Sequence, residues 1–376
     1  MAGQSANPVK RLESYFKGKT VLVTGHTGFK GSWLTIWLLE LGARVVGLSD
    51  GIPTEPSHFV AANLQERIRH HLVDLRDPAA VQAVVSETRP DFVFHLAAQA
   101  LVRKSYAEPL LTFHTNVLGT AHLLEALRVL DKPCVAVLIT SDKCYDNVEW
   151  VWGYRETDRL GGKDPYSASK GAAEIVIRSY VESYLCGDSP IRVGIGRAGN
   201  VIGGGDWALD RIVPDCMRAW SAGQQVPVRS PEATRPWQHV LEPLSGYLAL
   251  AGALAEPSGP AALHGEAFNF GPRADQDYSV RELLDAFAGH WSGGSWQDVS
   301  QGAHCHEAGL LKLNCDKALY HLQWTPTLNF AQTVQFTAQW YRAFYVDKPS
   351  SMLDTTLAQL RAYIAAARDQ GAPWAG

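Results

Sequence analysis

The sequence predicts an α/β fold: a doubly wound parallel sheet followed by a smaller, C-terminal α/β domain. Three observations indicate this architecture. Apolar strand patterns alternate with amphipathic helix patterns over residues 19–200, and this repeat builds parallel sheets. A glycine-rich turn, Gly25–Gly31, joins the first strand to the first helix. After residue 200 the alternation breaks, so the later segments are expected to form a second domain.

Composition and charge favour a soluble enzyme. Of the 376 residues, 46% are hydrophobic and 19% are charged, which excludes a disordered chain. The net charge of -4 argues against a nucleic-acid partner. No apolar stretch is long enough to span a membrane, and Met1–Lys17 lacks the apolar core of a signal peptide. Six cysteines without C-x-x-C spacing indicate reduced thiols and a cytoplasmic protein.

The first strand–turn–helix unit predicts a dinucleotide site. Thr20–Thr24 is a short β-branched run typical of a buried parallel strand, and a helix is expected to begin near Gly31. Gly25 permits a sharp turn, Gly28 leaves room for a pyrophosphate, and Gly31 allows close packing of helix on strand. The free N–H groups of the helix would face the anion. The alternative is an ordinary turn of an α/β fold.

Reactive side chains follow the predicted strand Val135–Ile139, where Ser141, Asp142 and Lys143 occupy its carboxyl end. Tyr166 and Lys170 are four residues apart at the start of the next predicted helix and therefore share one face. A lysine ammonium beside the phenol is expected to lower the pKa of Tyr166, which makes it a usable base. The alternative is that Tyr166 and Lys170 are a solvent-exposed pair at helical spacing and have no function.

Further along, the predicted elements include a long helix at Thr112–Leu130, a helix at Leu244–Leu254 and a strand at Phe268–Phe270. The expected organisation is a tail over residues 1–18 and a dinucleotide-binding domain over residues 19–200. A substrate domain follows over residues 201–350, with some segments returning to the first domain. Residues 351–376 form a C-terminal tail that is expected to be helical.

Five segments together resemble the CDP-glucose 4,6-dehydratases, nucleotide-sugar-modifying members of the extended short-chain dehydrogenases/reductases. They are TGHTGFKGSW, TSDKCYDNVEWVWGY, DPYSASKGAAE, RAGNVIGGGDWALDRIVPD and RPWQHVLEPLSGY. The resemblance extends from about Lys19 to about Pro326. It implies a Rossmann-type domain, NAD as cofactor, a nucleotide-sugar substrate and a homodimer, or a dimer of dimers, packed through helices.

The resemblance also assigns roles to residues. The catalytic set is Ser141, Asp142, Lys143, Tyr166 and Lys170. The cofactor set is Gly25, Thr27, Gly28, Phe29, Lys30, Gly31, Asp50, Asp74, Leu75, Leu96, Ala97, Ala98, Asn116, Tyr166 and Lys170. The substrate set is Gln99, Asn200, Arg211 and Arg235. No metal is expected, because His304-Cys305-His306-Glu307 matches no strong zinc spacing.

Two acidic residues of the cofactor set have an alternative role that the sequence leaves open. Asp50 can hold the adenosine ribose and disfavour NADP, or it can point to solvent. Asp74 can accept a hydrogen bond from the adenine amino group, or it can cap the helix that begins at Pro78.

The implied reaction is loss of water from CDP-glucose, giving CDP-4-keto-6-deoxyglucose for deoxysugar biosynthesis. Tyr166 would act as base during oxidation at C4, and Asp142 would protonate the departing 6-hydroxyl. Lys143 has three readings: base at C5, charged stabiliser of the enolate, or structural partner of Asp142. Rival functions are a nucleotide-sugar 4-epimerase, which has no use for Asp142-Lys143, and a non-catalytic NAD-binding protein.

Overall fold

A computed structural model describes residues 11–257, 261–300 and 310–376. Its strands are β1 (Thr20–Thr24), β2 (Arg44–Ser49), β3 (Arg69–Leu72), β4 (Phe92–His95), β5 (Cys134–Ile139), β6 (Ile191–Arg197), β7 (Val201–Ile202), β8 (Val226–Val228), β9 (Thr234–Arg235), β10 (Gln238–His239), β11 (Ala267–Asn269), β12 (Tyr278–Ser279) and β13 (Trp296–Asp298). Its α-helices are α1 (Leu12–Phe16), α2 (Phe29–Glu40), α3 (His58–Ala61), α4 (Pro78–Thr88), α5 (Val102–Ala107), α6 (Pro109–Phe113), α7 (Gly119–Arg128), α8 (Pro165–Ser183), α9 (Ile212–Ser221), α10 (Leu241–Ala255), α11 (Val280–Ala288), α12 (Asp316–Leu322), α13 (Phe330–Arg342) and α14 (Met352–Asp369).

Seven strands form one parallel sheet in the order β11-β6-β5-β4-β1-β2-β3. The chain starts at β1 in the middle and winds outward through β2 and β3. It then crosses back to build β4, β5 and β6 on the other side. This is the doubly wound Rossmann order, so the predicted fold class is confirmed.

Two apolar clusters cover the two faces of this sheet, because successive residues of a strand point to opposite sides. Val21 and Val23 of β1 belong to one cluster, together with the side chains of α2 and α10. Leu22 lies in the other cluster, with the side chains of α4, α7 and α8. The sheet is thus buried on both faces, which explains the near-continuous apolar runs of its strands.

Two late segments return to this sheet. The strand predicted at Phe268–Phe270 is β11, which pairs with β6 at the edge of the sheet. The helix predicted at Leu244–Leu254 is α10; it begins three residues earlier, at Leu241, and packs against β5 and β6. The other late strands form small ladders, β7 with β10, β9 with β12 and β8 with β13. The domain boundary at residue 200 stays a prediction.

The C-terminal region packs against the main core. Helix α14 lies in the segment predicted to be helical, and its Leu360, Tyr363 and Ala367 are fully buried. The Tyr363 hydroxyl donates to Glu242 Oε2 of α10 at 2.9 Å. Within the described residues, no helix has the length and apolar character needed to cross a membrane. The described cysteines carry free thiols. The cytoplasmic location stays a prediction.

Candidate active site

Ser141, Asp142 and Lys143 lie together at the carboxyl end of β5. Ser141 begins a one-turn 3-10 helix, Asp142–Cys144, and its Oγ accepts a hydrogen bond from the Lys143 N–H at 3.2 Å. The same hydroxyl donates to Asp142 Oδ1 at 2.9 Å. Ser141 and Asp142 are buried, whereas Lys143 is half-buried. Open α/β folds place their reactive groups at this edge of the sheet.

The Asp142 carboxylate sits in a closely fitted pocket formed by the turn after β6. Asn200, in the left-handed region with φ +52°, has its Nδ2 at 3.4 Å from Asp142 Oδ2. A Cβ atom on Gly199 would lie 1.9 Å from that oxygen, so only glycine fits there. Among the described residues, Asp142 and Lys143 form no ion pair. The structure therefore does not support Lys143 as a structural partner of Asp142.

Helix α8 carries the other two predicted catalytic residues. Its N-terminus is fixed by Asp164, whose Oδ1 accepts a hydrogen bond from the Ser167 N–H at 3.0 Å. Tyr166 shares a hydrogen bond with Ser141, which joins the helix to the end of β5. One turn later, Lys170 Nζ donates to the backbone carbonyl of the last β5 residue at 3.4 Å.

The pKa of Tyr166 moves in the direction opposite to the prediction. Desolvation is the largest cause and the negative charge of Asp142 adds to it, and the pKa of Tyr166 rises to about 12. The hydrogen bond with Ser141 and the positive charge of Arg211 act the other way. Lys170 is itself desolvated, and its pKa falls to about 8. The expected lowering of the Tyr166 pKa by Lys170 is therefore wrong for this structure, because desolvation outweighs the favourable charges.

The glycine turn fits a dinucleotide pyrophosphate. Gly25 has φ +71°, and a Cβ atom there would lie 2.7 Å from the backbone nitrogen of Ala97. A Cβ atom on Gly31 would lie 2.1 Å from the Gly25 carbonyl oxygen. Helix α2 begins at Phe29, two residues earlier than predicted, with Gly28 as its N-cap. Its first N–H groups have no acceptor within the helix and can bind an anion.

The other predicted cofactor residues follow the same edge of the sheet. Thr27 is turned toward the end of β2, where its hydroxyl donates to the Gly51 carbonyl at 2.7 Å. Asp50 is exposed immediately after β2. Leu75, Leu96, Ala97 and Ala98 come after β3 and β4. Their contacts with a cofactor stay predictions.

Asp74 is held by a neighbour on its own loop. Arg76 Nε donates to Asp74 Oδ2 at 2.9 Å, and this guanidinium lowers the pKa of the carboxyl. Helix α4 is capped instead by Asp77, whose Oδ1 accepts from the N–H groups of Ala79 and Ala80. The alternative reading of Asp74 as the helix cap is wrong, because Asp77 directly precedes the proline that starts α4. Adenine binding by Asp74 stays a prediction.

A π-helical turn, His114–Leu118, interrupts the helix predicted at Thr112–Leu130. It places the buried Asn116 between the strand edge and α8. Asn116 Nδ2 donates to Ser169 Oγ at 2.9 Å, while Asn116 Oδ1 accepts the Gln99 N–H at 2.8 Å. The Gln99 carboxamide is bound at both ends, with Nε2 on Thr112 Oγ1 and Oε1 on the N–H of Leu101. π-Turns of this kind often mark functional sites.

Lys30 and Arg211 lie within electrostatic reach of each other. Desolvation and the neighbouring charge of Arg211 lower the pKa of Lys30 to about 8, whereas Asp142 raises it. Lys30 therefore lies within electrostatic reach of the turn Asp142–Cys144, which carries the predicted catalytic residues Asp142 and Lys143 and is called the catalytic turn below. Arg211 NH1 donates to the buried Asp206 Oδ2 at 2.7 Å, and this carboxylate raises the pKa of Arg211. Pyrophosphate binding by Arg211 stays a prediction.

Arg235 lies on β9, where its NH1 donates to the Thr234 carbonyl at 2.6 Å. The chain then passes beside the catalytic turn, because the Gln238 N–H donates to the Asn200 carbonyl at 3.2 Å. His304-Cys305-His306-Glu307 lies outside the described residues. Within residues 11–257, 261–300 and 310–376, no group of three or more metal-ligating side chains is present.

The sequence did not single out a buried polar cluster beneath these residues. Arg197 at the end of β6 forms a buried ion pair with Glu174 of α8. Thr140 Oγ1 donates to Glu174 Oε1 at 2.6 Å, and Arg197 NH1 donates to the Tyr145 hydroxyl oxygen at 2.7 Å. A signal was available, since Glu174 follows Lys170 at the same four-residue spacing that separates Lys170 from Tyr166.

The chain belongs to the family described as GDP-mannose 4,6-dehydratase, whose model matches residues 22–337. The chain is 45% identical to a CDP-glucose 4,6-dehydratase from Salmonella typhimurium over 336 residues, covering 88% of this chain and 93% of the relative. It is 26% identical to a dTDP-glucose 4,6-dehydratase from Xanthomonas campestris, covering 86% of this chain and 93% of that one.

Solved structures share the fold. A UDP-glucose 4-epimerase from Thermus thermophilus, in complex with NAD, is 28% identical and superimposes with a TM-score of 0.70 over 86% of this chain and 99% of its own. A dTDP-glucose 4,6-dehydratase from Streptomyces venezuelae with NAD bound is 23% identical, with a TM-score of 0.71 over 88% of this chain and 100% of its own. The second likeness concerns the fold alone.

Proposed function

We propose that this chain is an NAD-dependent lyase that removes water from CDP-glucose and forms CDP-4-keto-6-deoxyglucose. The observation that carries the proposal is the buried Asp142 carboxyl beside the Ser141–Tyr166 pair. Serine and tyrosine suffice for oxidation at a sugar hydroxyl, but an added buried acid serves elimination. The identity of 45% to the Salmonella enzyme supports the CDP-sugar as substrate.

In the first half of the reaction, the 4-hydroxyl of glucose loses its proton to Tyr166 Oη. Ser141 Oγ donates a hydrogen bond to the oxygen that becomes the C4 carbonyl. NAD, held by the glycine turn and the N-terminus of α2, would supply a hydride acceptor for C4, the hydride for C6, and a positive ring charge favouring the Tyr166 phenolate. Lys170 lies one helical turn from Tyr166 and is expected to bond the cofactor ribose.

In the second half, the ketone at C4 makes the C5 proton acidic. Asp142 protonates the 6-hydroxyl, which leaves as water while the bond from C5 to its proton breaks. C6 then receives hydride and C5 is reprotonated, so no outside reductant is consumed. The 6-oxygen is the only heavy atom lost.

Lys143 has two remaining roles: base for the C5 proton, or charged stabiliser of the enolate. Lys143→Arg separates them, because arginine keeps the positive charge but does not act as a base. If turnover persists within about 10-fold of the wild-type rate, Lys143 is a stabiliser. Loss of about 10²-fold or more identifies it as the base.

Incubation with CDP-glucose and NAD, followed by alkali, tests the proposed function. A 4-keto-6-deoxy product gives a new ultraviolet absorbance, and mass spectrometry shows loss of one water. A product of unchanged mass would indicate a 4-epimerase, and no product would indicate a non-catalytic protein. Parallel assays with UDP-, TDP- and GDP-sugars test the preference for the nucleotide base. The highest turnover is expected with CDP-glucose.

We also propose that the chain assembles as a homodimer, or a dimer of dimers, through α6 and α8. These helices pack against each other, and each exposes an apolar side chain, Leu110 at 83% and Ile175 at 63%. Exposed apolar side chains on packed helices favour an interface. Ile175→Asp is expected to reduce the mass measured by light scattering to that of a monomer. Leu319→Asp on α12, also exposed, is the control that should leave the assembly intact.

A further inference from the structure

A buried polar network connects the catalytic turn to three separate parts of the chain. We define the anchoring network as Glu174, Arg197, Tyr145 and Asn269. Its side chains are all buried, and Tyr145 directly follows the turn Asp142–Cys144. None of them is among the groups proposed to exchange protons with the sugar, so their burial and mutual bonding need another explanation.

The first half of the network fixes Arg197. The Arg197–Glu174 ion pair has both side chains at most 4% exposed, and Nε donates to Glu174 Oε1 at 2.7 Å. Thr140 at the end of β5 donates to that same oxygen at 2.6 Å. A buried ion pair with its hydrogen bonds satisfied holds its members in one geometry. Arg197 is therefore set in a fixed position between β5, β6 and α8.

The second half transmits this position to the catalytic turn. Arg197 NH1 donates to the Tyr145 hydroxyl oxygen at 2.7 Å, and its guanidinium lies 4.8 Å from the centre of the tyrosine ring. The Tyr145 hydroxyl then donates to Asn269 Oδ1 of β11 at 2.7 Å. Tyr145 directly follows the turn that carries Asp142 and Lys143. The turn is thus held at its start by the serine cap and at its end by Tyr145.

The network also holds the loop that leaves the turn. Arg197 NH1 donates to the Glu156 carbonyl at 3.1 Å, and the Asn269 N–H donates to Glu156 Oε1 at 2.8 Å. Asn269 Nδ2 donates to the Tyr154 carbonyl at 2.8 Å. Two residues beyond Arg197, Gly199 packs against the Asp142 carboxylate. Displacement of Arg197 therefore reaches Asp142 from both sides of its pocket.

Helix α8 has other attachments. The Tyr166 N–H donates to Ser105 Oγ at 3.2 Å, and Ser169 is bound by Asn116. Lys170 donates directly to β5. These contacts hold the oxidation residues without the Tyr145 hydroxyl.

We propose that the anchoring network is a positioning device for the elimination step, acting on Asp142 and Lys143 more strongly than on Tyr166 and Lys170. The proposal rests on the function proposed above. Its consequence is an uncoupling of the two half-reactions: loosening the network should leave C4 oxidation in place and slow water loss.

Tyr145→Phe tests this directly, since it removes one hydroxyl and keeps the ring. On mixing with CDP-glucose and NAD, the expected result is a kcat about 10-fold to 100-fold lower with KM within about threefold, because small displacements of reacting groups have effects of this size. Reduced-nicotinamide absorbance should accumulate to a higher level than in the wild type measured in parallel. Exchange of C5 hydrogen with deuterated water, followed by mass spectrometry, should fall in parallel.

Tyr154→Phe is the matched control. Its ring stacks on Tyr145 at 5.0 Å, but its hydroxyl bonds to the loop at Asn147 and Val148 and makes no bond to Arg197. It should show no accumulation of reduced nicotinamide. The proposal would be overturned if the two variants behaved alike or if Tyr145→Phe turned over at the wild-type rate. A fall in the kcat of Tyr145→Phe without accumulation of reduced nicotinamide would also overturn it.

Arg197→Lys provides a second variant that keeps the buried charge against Glu174 but cannot reach all three partners. It decides the question if Tyr145→Phe does not fold, as judged by thermal melting. It should show the same accumulation, and its absence in folded protein would overturn the proposal. A wild-type protein that forms no dehydrated product would contradict the proposed function, independently of these variants.

Discussion

Helix α8 and the turn Asp142–Cys144 carry the two halves of the proposed reaction, and they are built in different ways. Tyr166 and Lys170 stand on a helix of regular geometry, fixed by local caps and by direct contacts with β5. Asp142 and Lys143 stand on a single 3-10 turn, whose position depends on Arg197 and on residues far away in the chain. The oxidation residues of α8 are thus held by contacts that do not involve the Tyr145 hydroxyl, whereas the elimination residues depend on the contacts of Tyr145 with Arg197 and Asn269.

The largest effect is expected from Tyr166→Phe, which removes the base of the first half. Without a proton acceptor at C4, turnover should fall about 10³-fold, and no reduced nicotinamide should appear at any time after mixing. Stopped-flow absorbance with CDP-glucose measures both quantities. Accumulation of reduced nicotinamide at the wild-type rate would remove Tyr166 from the oxidation step.

Lys143→Met tests the elimination half of the proposed reaction. Turnover should fall about 10²-fold, because the C5 proton loses its base or the enolate its positive charge. Oxidation at C4 should continue, so reduced nicotinamide should accumulate while water release is lost. Normal turnover in this variant would remove Lys143 from the chemistry and leave the turn with Asp142 alone.

Glu242 belongs neither to the oxidation residues nor to the elimination residues. It tests whether the stability of the fold can change while the relative rates of oxidation and elimination stay the same. This α10 carboxyl accepts hydrogen bonds from Leu328 N–H and the Tyr363 hydroxyl, yet burial raises its pKa from 4.5 to about 7. Between these values the unfolded chain releases a proton that the folded chain keeps. The free energy of unfolding should therefore decrease as pH rises from 4.5 to 7, by about 3 kcal/mol, and the decrease should end above pH 7.

Glu242→Gln should remove this part of the pH dependence, measured by denaturant unfolding at several pH values. The rates of oxidation and elimination in this variant should stand in the same ratio as in the wild type, because α10 contacts neither Tyr166 nor Lys143 through this carboxyl. An unchanged pH slope would mean that Glu242 keeps an ordinary pKa in the folded chain.

The sequence was sufficient for the parts of the molecule whose geometry is local. The glycine spacing, the strand ends and the interval from Tyr166 to Lys170 predicted the Rossmann sheet and placed Ser141, Asp142 and Tyr166 together. The return of β11 to the sheet was foreseen only in outline, because strand partners are chosen by packing rather than by pattern.

Other features depended on burial, which the sequence does not display. The pKa of Tyr166 rises because the phenol is desolvated, and no spacing rule reports desolvation. The Arg197–Glu174 pair joins residues 23 apart, and Tyr145 meets Asn269 across 124 residues. Charged residues are usually exposed, so composition does not mark Arg197 and Glu174 as buried.

The most direct test of the account follows one hydrogen atom. CDP-glucose carrying deuterium at C4 is converted by the wild-type protein with NAD, and the product is examined by mass spectrometry and NMR. The account predicts a product that has lost one water and carries the deuterium in the methyl group at C6. Deuterium lost to solvent, deuterium retained at C4, or a sixth carbon that keeps its oxygen would contradict it.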